Sequence, residues 1–217
     1  MLDTVLLDLD GTILDTTPLI LASLRYATRT VLGRVPEDAV LIRNFGRTLE
    51  ESLRALAPEI ESVRFDALLH TYLAHNRAQH DRLVRLVPGA EEALRKFHQR
   101  GLQLGVVTSK RRDLAVHGLE LFDLDSLLAT VVAREDTEEH KPHPAPVIEA
   151  LKRLRASPQC AVFIGDSPYD MQSGHAAGVC VYGLSHNTHP KEELLKAGAT
   201  GVAADWPSLA RWVDGAD

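Results

Sequence analysis

The sequence predicts an α/β fold, a Rossmann-like parallel sheet core with an inserted small helical-bundle cap domain. Three observations lead there. From residue 86 onward, short apolar runs alternate with helical patterns, as expected of a parallel sheet covered by helices on both faces. Residues 16–85 break that alternation, with helical periodicity and no convincing strand. Polar residues follow three of the apolar runs directly, at the strand ends where open parallel sheets bind ligands.

Taken in order, Thr4 to Leu7 is a continuous apolar run of the kind buried on both faces. The helical segment opens with Thr17 as N-cap and Pro18 at the first helical position. Apolar residues follow at Ile20, Leu24, Ala27 and Val31, and Gly33 is the stop. The capping-box pattern Thr48-Leu49-Glu50-Glu51 starts a second helix that ends before Pro58. Phe65, Leu68, Leu69, Tyr72 and Leu73 form a third stripe at helical spacing, read as core packing. The chain re-enters the sheet through Val87-Pro88-Gly89. Strands are then expected at Leu102 to Val107, Leu128 to Ala133, Ala161 to Gly165, Val179 to Gly183 and Thr200 to Ala203. Helices are expected near 89–100, 111–121, 145–156, 168–177, 190–197 and 207–213. The predicted division is a discontinuous core, residues 1–15 and 86–217, and a helical cap, residues 16–85. A cap on two linkers can hinge over a site on the sheet.

At 217 residues the chain can bury one good core, or a core plus a small accessory domain. A composition of 45% hydrophobic and 25% charged residues excludes disorder and fibres. The formal charge of -6 argues against nucleic-acid partners, which need a basic surface. No apolar run approaches bilayer-spanning length, and Met1-Leu2-Asp3 lacks the basic start of a secretory signal. The expectation is a cytoplasmic protein, monomer or homodimer, with no membrane partner. Cys160 and Cys180 lie in apolar segments and are expected to be buried free thiols, since two cysteines alone cannot complete a zinc site.

The chemistry starts at Val5-Leu6-Leu7-Asp8-Leu9-Asp10-Gly11-Thr12. Residues i and i+2 of an extended chain point the same way, so Asp8 and Asp10 converge and repel unless a cation or shared proton intervenes. Thr108-Ser109-Lys110 follows a second strand, and Gly165-Asp166-Ser167-Pro168-Tyr169-Asp170 a third. A Mg2+ ion needs one or two carboxylates plus substrate oxygens and waters. Asp8 and Asp166 supply them, Asp10 adds its backbone carbonyl, and Asp170 is placed to orient a metal-bound water. A carboxylate attacking phosphorus gives an aspartyl phosphate, and the Asp10 side chain is left to move protons. The transferring phosphoryl group needs cationic and N–H groups around it. The candidates are the Thr108 hydroxyl, the N–H groups around Leu9 to Gly11 and Ser109 to Lys110, and Lys141, held in the stiff loop His140-Lys141-Pro142-His143-Pro144.

These elements in this order resemble the haloacid dehalogenase-like hydrolase superfamily, in its phosphatase branch with a helical cap after the first motif. The D-x-D-G-T motif is Asp8 to Thr12, the second-motif threonine Thr108, the lysine Lys141, and the G-D-x-x-x-D motif Gly165 to Asp170. The resemblance implies that Asp8 is the nucleophile, Asp10 the acid/base, and Asp8, Asp10 and Asp166 the magnesium site. Leu7 stands where relatives often carry an aromatic residue. The resemblance also places Asp10 with phosphoryl transfer rather than dehalogenation.

Substrate choice lies with the cap, which has no lysine from Asp15 to Glu92 but ten arginines between Arg25 and Arg85. That disfavours the Schiff-base lysine of a phosphonate hydrolase. Arg47, in the loop Asn44-Phe45-Gly46-Arg47, is a candidate clamp for a second anionic group. Asn76 and His80 share a helix face at i, i+4 in a segment resembling the bacterial pyrophosphatase branch, near the phosphoglycolate phosphatases. His75 and His80, five apart, point away from each other and make no zinc site. The expected function is Mg2+-dependent hydrolysis of a small phosphorylated metabolite, phosphoglycolate or pyrophosphate. The rivals are a phosphomutase on the same scaffold and a non-catalytic phospholigand-binding domain.

Overall fold

The computed structural model describes residues 2–185 and 189–215. Strand β1 (Thr4–Leu7) is followed by a tight turn and by the two-residue strand β2 (Leu14–Asp15). Four helices come next: α1 (Thr17–Leu32), α2 (Asp38–Ile42), α3 (Leu49–Leu56) and α4 (Ser62–Leu83). The short strand β3 (Arg85–Leu86) returns the chain. Then alternate α5 (Ala90–Gln99), β4 (Gln103–Val107), α6 (Arg112–Glu120), β5 (Thr130–Val132), α7 (Ala145–Leu154), β6 (Ala161–Gly165) and α8 (Pro168–Ala176). The chain closes with β7 (Cys180–Leu184), α9 (Lys191–Lys196), β8 (Gly201–Ala203) and α10 (Trp206–Asp214).

The six long strands form one parallel sheet in the order β5-β4-β1-β6-β7-β8. The chain winds outward from β1 to β5, then returns to β6 on the other side of β1. Ligands of such sheets sit at that reversal, so the fold directs attention to the C-terminal end of β1. Alternation in β1 sorts its side chains between two layers. Val5 and Leu7 join Leu94, Phe97, Ala115 and Trp206 on one face, and Leu6 joins Val147, Phe163 and Met171 on the other. A third apolar cluster lies wholly within residues 20–73, built from α1 to α4 around Leu24, Leu53, Phe65 and Leu68.

Three local expectations are corrected. Thr17 is the first residue of α1 rather than its cap, and Asp15 accepts from the Thr17 N–H at 3.3 Å in place of a side-chain cap from Thr16. The helical insert is not strand-free at its edge, because β2 and β3 pair antiparallel, Leu14 with Leu86 and Asp15 with Arg85. Two residues are too few for alternation to show in sequence. Cys160 and Cys180 are free thiols but only half-buried, Cys160 ending a 3₁₀ turn before β6 and Cys180 opening β7.

One network of ion pairs closes the turn that follows β5. Asp136 accepts from the Ala133 N–H at 2.7 Å, from Arg153 at 2.8 Å and from Arg112. Burial opposes the Asp136 charge, but Arg153, the Ala133 N–H and Arg112 outweigh it and hold its carboxyl below the usual range. A depressed carboxyl contributes stability above its unfolded pKa, and that contribution disappears as pH falls through the folded value. Asp136→Asn is therefore expected to cost about 1–3 kcal/mol at pH 7, with the gap from wild type closing below about pH 4. Urea unfolding of both proteins across that range measures it.

Candidate active site

Asp8 leaves the end of β1 with 3% exposure, and its N–H donates to the Ile164 carbonyl at 2.8 Å. The chain then turns back within residues 9–14, where Leu9 accepts from the N–H groups of Ile13 and Leu14 at 2.9 Å. Gly11 takes φ +83°, a left-handed conformation that favours glycine. A Cβ there would stand 2.1 Å from Asp166 Oδ2, so the missing side chain is what lets Asp166 close on the turn.

Lys141 is buried and donates to Asp8 Oδ1 and to Asp170 Oδ1, each at 2.6 Å. Asp170 uses its other oxygen for Ser167, accepting from its N–H at 3.0 Å and its hydroxyl at 2.6 Å, the capping box of α8. Helix start and lysine anchor are thus one residue. Carboxylate oxygens of Asp8, Asp166 and Asp170 lie within 4.8 Å of one another. Burial, then repulsion from Asp170 and Asp10, raises the Asp8 carboxyl to about 7 against the opposing pull of Lys141. Burial and the neighbouring Asp8 and Asp170 also push Asp166 well above the carboxylate range. Burial works against the Lys141 charge, yet Asp170 and Asp8 together hold its pKa above that of ordinary lysine.

Above these groups lies a cavity of about 110 Å³, lined from the sheet side by Asp8, Asp10, Thr108, Lys110, Lys141 and Asp166. Thr108 is buried, and its hydroxyl accepts from the Lys110 N–H at 3.2 Å. The structure brings Asp8, Asp10, Thr108, Lys141 and Asp166 of the expected set to one cavity, with Lys110 beside them, while Asp170 reaches the group through Lys141. Asp10 differs in detail, because its side chain is bonded to Lys110 Nζ at 2.7 Å instead of standing alone.

Other expected contacts fall differently. The Gly11 N–H donates to the Leu14 carbonyl at 2.7 Å and the Lys110 N–H to Thr108, so these two do not face a phosphate. The Leu9 side chain is core. Ser109 lines the cavity and donates its hydroxyl to the Gly46 carbonyl at 2.9 Å, a link across to the helical insert. Arg47 lines the cavity rim, where its Nε donates to the Tyr169 hydroxyl at 2.6 Å. Gly46 at φ +92° leaves room for Ser167, whose Oγ would be 2.6 Å from a Cβ there. With Arg134 on Glu50 at 3.0 Å, these contacts hold the insert down over the sheet.

Asn76 lines the cavity, but His80, one turn later, does not. His80 is fully buried, its Nδ1 bonded to Asp81 at 2.9 Å and its ring 4.7 Å from that of His117 on α6. Helical spacing puts the two on one face, but α6 covers only the later turn. His75 bonds to Ser23 and stacks on Tyr26, away from His80. Sequence reading missed Thr16 and Tyr72 as cavity residues. Tyr72 sat inside an apolar stripe, and only its i, i+4 relation to Asn76 signalled a polar role.

A family model described as haloacid dehalogenase-like hydrolase matches residues 5–184. A protein of Caldanaerobacter subterraneus subsp. tengcongensis, provisionally named pyrophosphatase PpaX, is 37% identical over 98% of this chain and 95% of its own length. Pyrophosphatase PpaX of Halalkalibacterium halodurans is 36% identical over 82% of this chain and 81% of its own. A crystal structure titled a predicted phosphoglycolate phosphatase, from Haemophilus somnus, superposes with TM-score 0.90 at 21% identity, covering 100% of this chain and 98% of that one.

Proposed function

The chain belongs to the haloacid dehalogenase-like hydrolase family, and we propose that it is a Mg2+-dependent phosphatase acting on a small phosphorylated metabolite through an aspartyl phosphate on Asp8. The observation that carries this reading is the placement of Asp8, Asp10 and Lys141 around one buried cavity at the end of β1. Asp8 attacks phosphorus and the bond to the leaving oxygen breaks, with Asp10 giving that oxygen its proton. Asp10 then takes a proton from the water that attacks the phosphoenzyme, releasing phosphate and restoring Asp8. Lys141 and Thr108 neutralise the phosphoryl oxygens, and Asp170 positions Lys141.

Magnesium fits the donors present. Asp8 and Asp166 offer hard oxygens, and both carboxyls are raised by burial first and by neighbouring carboxylates second, so a cation bound there would favour their charged forms. Asp8, the Asp10 carbonyl and Asp166 would hold the ion, which supplies charge neutralisation between an anionic nucleophile and an anionic substrate. Asp170, with both oxygens engaged by Lys141 and Ser167, acts on the lysine.

The relatives named pyrophosphatase favour a small substrate of the pyrophosphate class. The enzyme acts in the cytoplasm, as monomer or homodimer, a setting in keeping with the free thiols of Cys160 and Cys180.

A phosphate-release panel tests the reading. Pyrophosphate or phosphoglycolate is expected to be cleaved at least about tenfold faster than hexose phosphates, a difference of about 1.4 kcal/mol in transition-state binding. A chelator should stop release. Isomer without free phosphate, from a hexose 1-phosphate with a trace of bisphosphate, would instead establish a mutase.

A further inference from the structure

The wall of the cavity contributed by the helical insert sets apolar side chains, Ile20, Leu24, Leu49 and Leu73 among them, beside polar ones. Thr16, Tyr72 and Asn76 are among the polar ones. Thr16 is 1% exposed and Asn76 2%, yet the Thr16 hydroxyl and the Asn76 Oδ1 have no hydrogen-bond partner among the described residues. Buried polar atoms left unpaired cost about 1–3 kcal/mol each, and native interiors rarely keep them without a use.

We propose that Thr16, Tyr72 and Asn76 form a leaving-group subsite that selects substrates whose leaving group carries oxygen atoms able to accept hydrogen bonds, a second phosphate or a carboxylate. The inference rests on the reading of Asp8 as nucleophile and Asp10 as proton donor. Its donors follow from counting. Asn76 Nδ2 donates to the Tyr72 hydroxyl at 3.3 Å, so the Tyr72 hydrogen remains for a ligand. Turning the amide over makes Tyr72 the donor to Oδ1 and leaves both amide hydrogens for the ligand instead. Either arrangement keeps donor hydrogens beyond those the protein uses, and Thr16 adds another.

The position agrees with the chemistry. Burial first and the charge of Asp10 second raise the Tyr72 hydroxyl above the usual tyrosine range, which puts Tyr72 within the field of the group that protonates the leaving oxygen. Lys141 and Asp166 stand on the opposite, sheet side of the cavity, where the transferring phosphoryl group is held. An apolar leaving group would bury these polar atoms unpaired, and a site built to hydrogen-bond a substrate rejects the analogue that lacks the partner.

The test compares kcat/KM for pyrophosphate and phosphoglycolate with that for propyl phosphate, whose leaving group has no oxygen beyond the ester. Asn76→Leu and Tyr72→Phe are each expected to lower the ratio of oxygen-bearing substrate to propyl phosphate by about tenfold or more. Both should weaken inhibition by methylenediphosphonate in parallel. Equal losses on all three substrates, or an unchanged ratio, would overturn the subsite. Tyr72→Phe removes one oxygen and keeps the ring, so it decides the matter if Asn76→Leu fails to fold. Full activity in Asp8→Asn would refute the underlying mechanism by itself, whereas the inhibitor arm reads the subsite without turnover.

Discussion

Asp8→Asn is expected to lower turnover of every phosphate substrate by a factor on the order of 10⁴ or more while leaving the fold at least as stable as wild type. The amide keeps the shape of the carboxylate but has no charge with which to attack phosphorus, so no phosphoenzyme forms. Stability separates this outcome from simple unfolding. Burial raises the Asp8 carboxyl to about 7 in the folded protein, against an unfolded value of about 3.9. A carboxyl raised on folding binds more protons folded than unfolded, so the metal-free wild type loses stability as pH climbs through that window. The neutral amide has no such loss. Thermal melts without metal should therefore show the variant gaining on wild type from about pH 4 to pH 7. Phosphate release near the wild-type rate would end the assignment of Asp8 as nucleophile.

How much of this was legible before any coordinates follows from what each signal depends on. The sheet was readable because β1, β4 and β6 are continuous apolar runs, and burial on both faces demands that pattern whatever the tertiary context. Asp8, Thr108 and Asp166 were readable because each directly follows such a run, so chain order alone carried them to one end of the sheet. Lys141 was located from its stiff loop, but its two carboxylate partners were not paired to it by sequence. The helix-capping role of Asp170 and its bond to Lys141 depend on how α8 starts beneath the loop, so sequence showed only its place in the acidic cluster with Asp8 and Asp166. The Asp10–Lys110 pair spans a hundred positions and has no local signature. Likewise α4 announces a face, while which part of that face meets the cavity is set by α6. That is why Asn76 lines the site and His80 packs behind it.

Replacing Lys141 by methionine should be the most damaging change to folding among the site residues. Its Nζ sits 2.6 Å from both Asp8 and Asp170, with all three side chains at 5% exposure or less. Methionine keeps the stem and removes the charge, which leaves Asp8, Asp166 and Asp170 as unbalanced carboxyls in one buried cluster. Removing one partner of a buried ion pair typically costs about 3–5 kcal/mol, because the surviving charge is stranded. The cost falls on ionised carboxylates, so it should ease as acid protonates them. Lys141→Met is thus expected to gain stability relative to wild type as pH falls from 8 toward 5, in the same direction as Asp136→Asn but at higher pH, because the carboxyls involved are raised on folding and that of Asp136 is depressed. Combining Lys141→Met with Asp8→Asn removes one of the stranded charges. Urea unfolding at pH 8 should then show the double variant to be more stable than Lys141→Met alone, with turnover still absent, a non-additivity confined to residues in direct contact. A double variant no more stable than Lys141→Met would mean that the lysine holds the site by packing. Its charge would then be needed for the phosphoryl group and not for the two carboxylates beneath it.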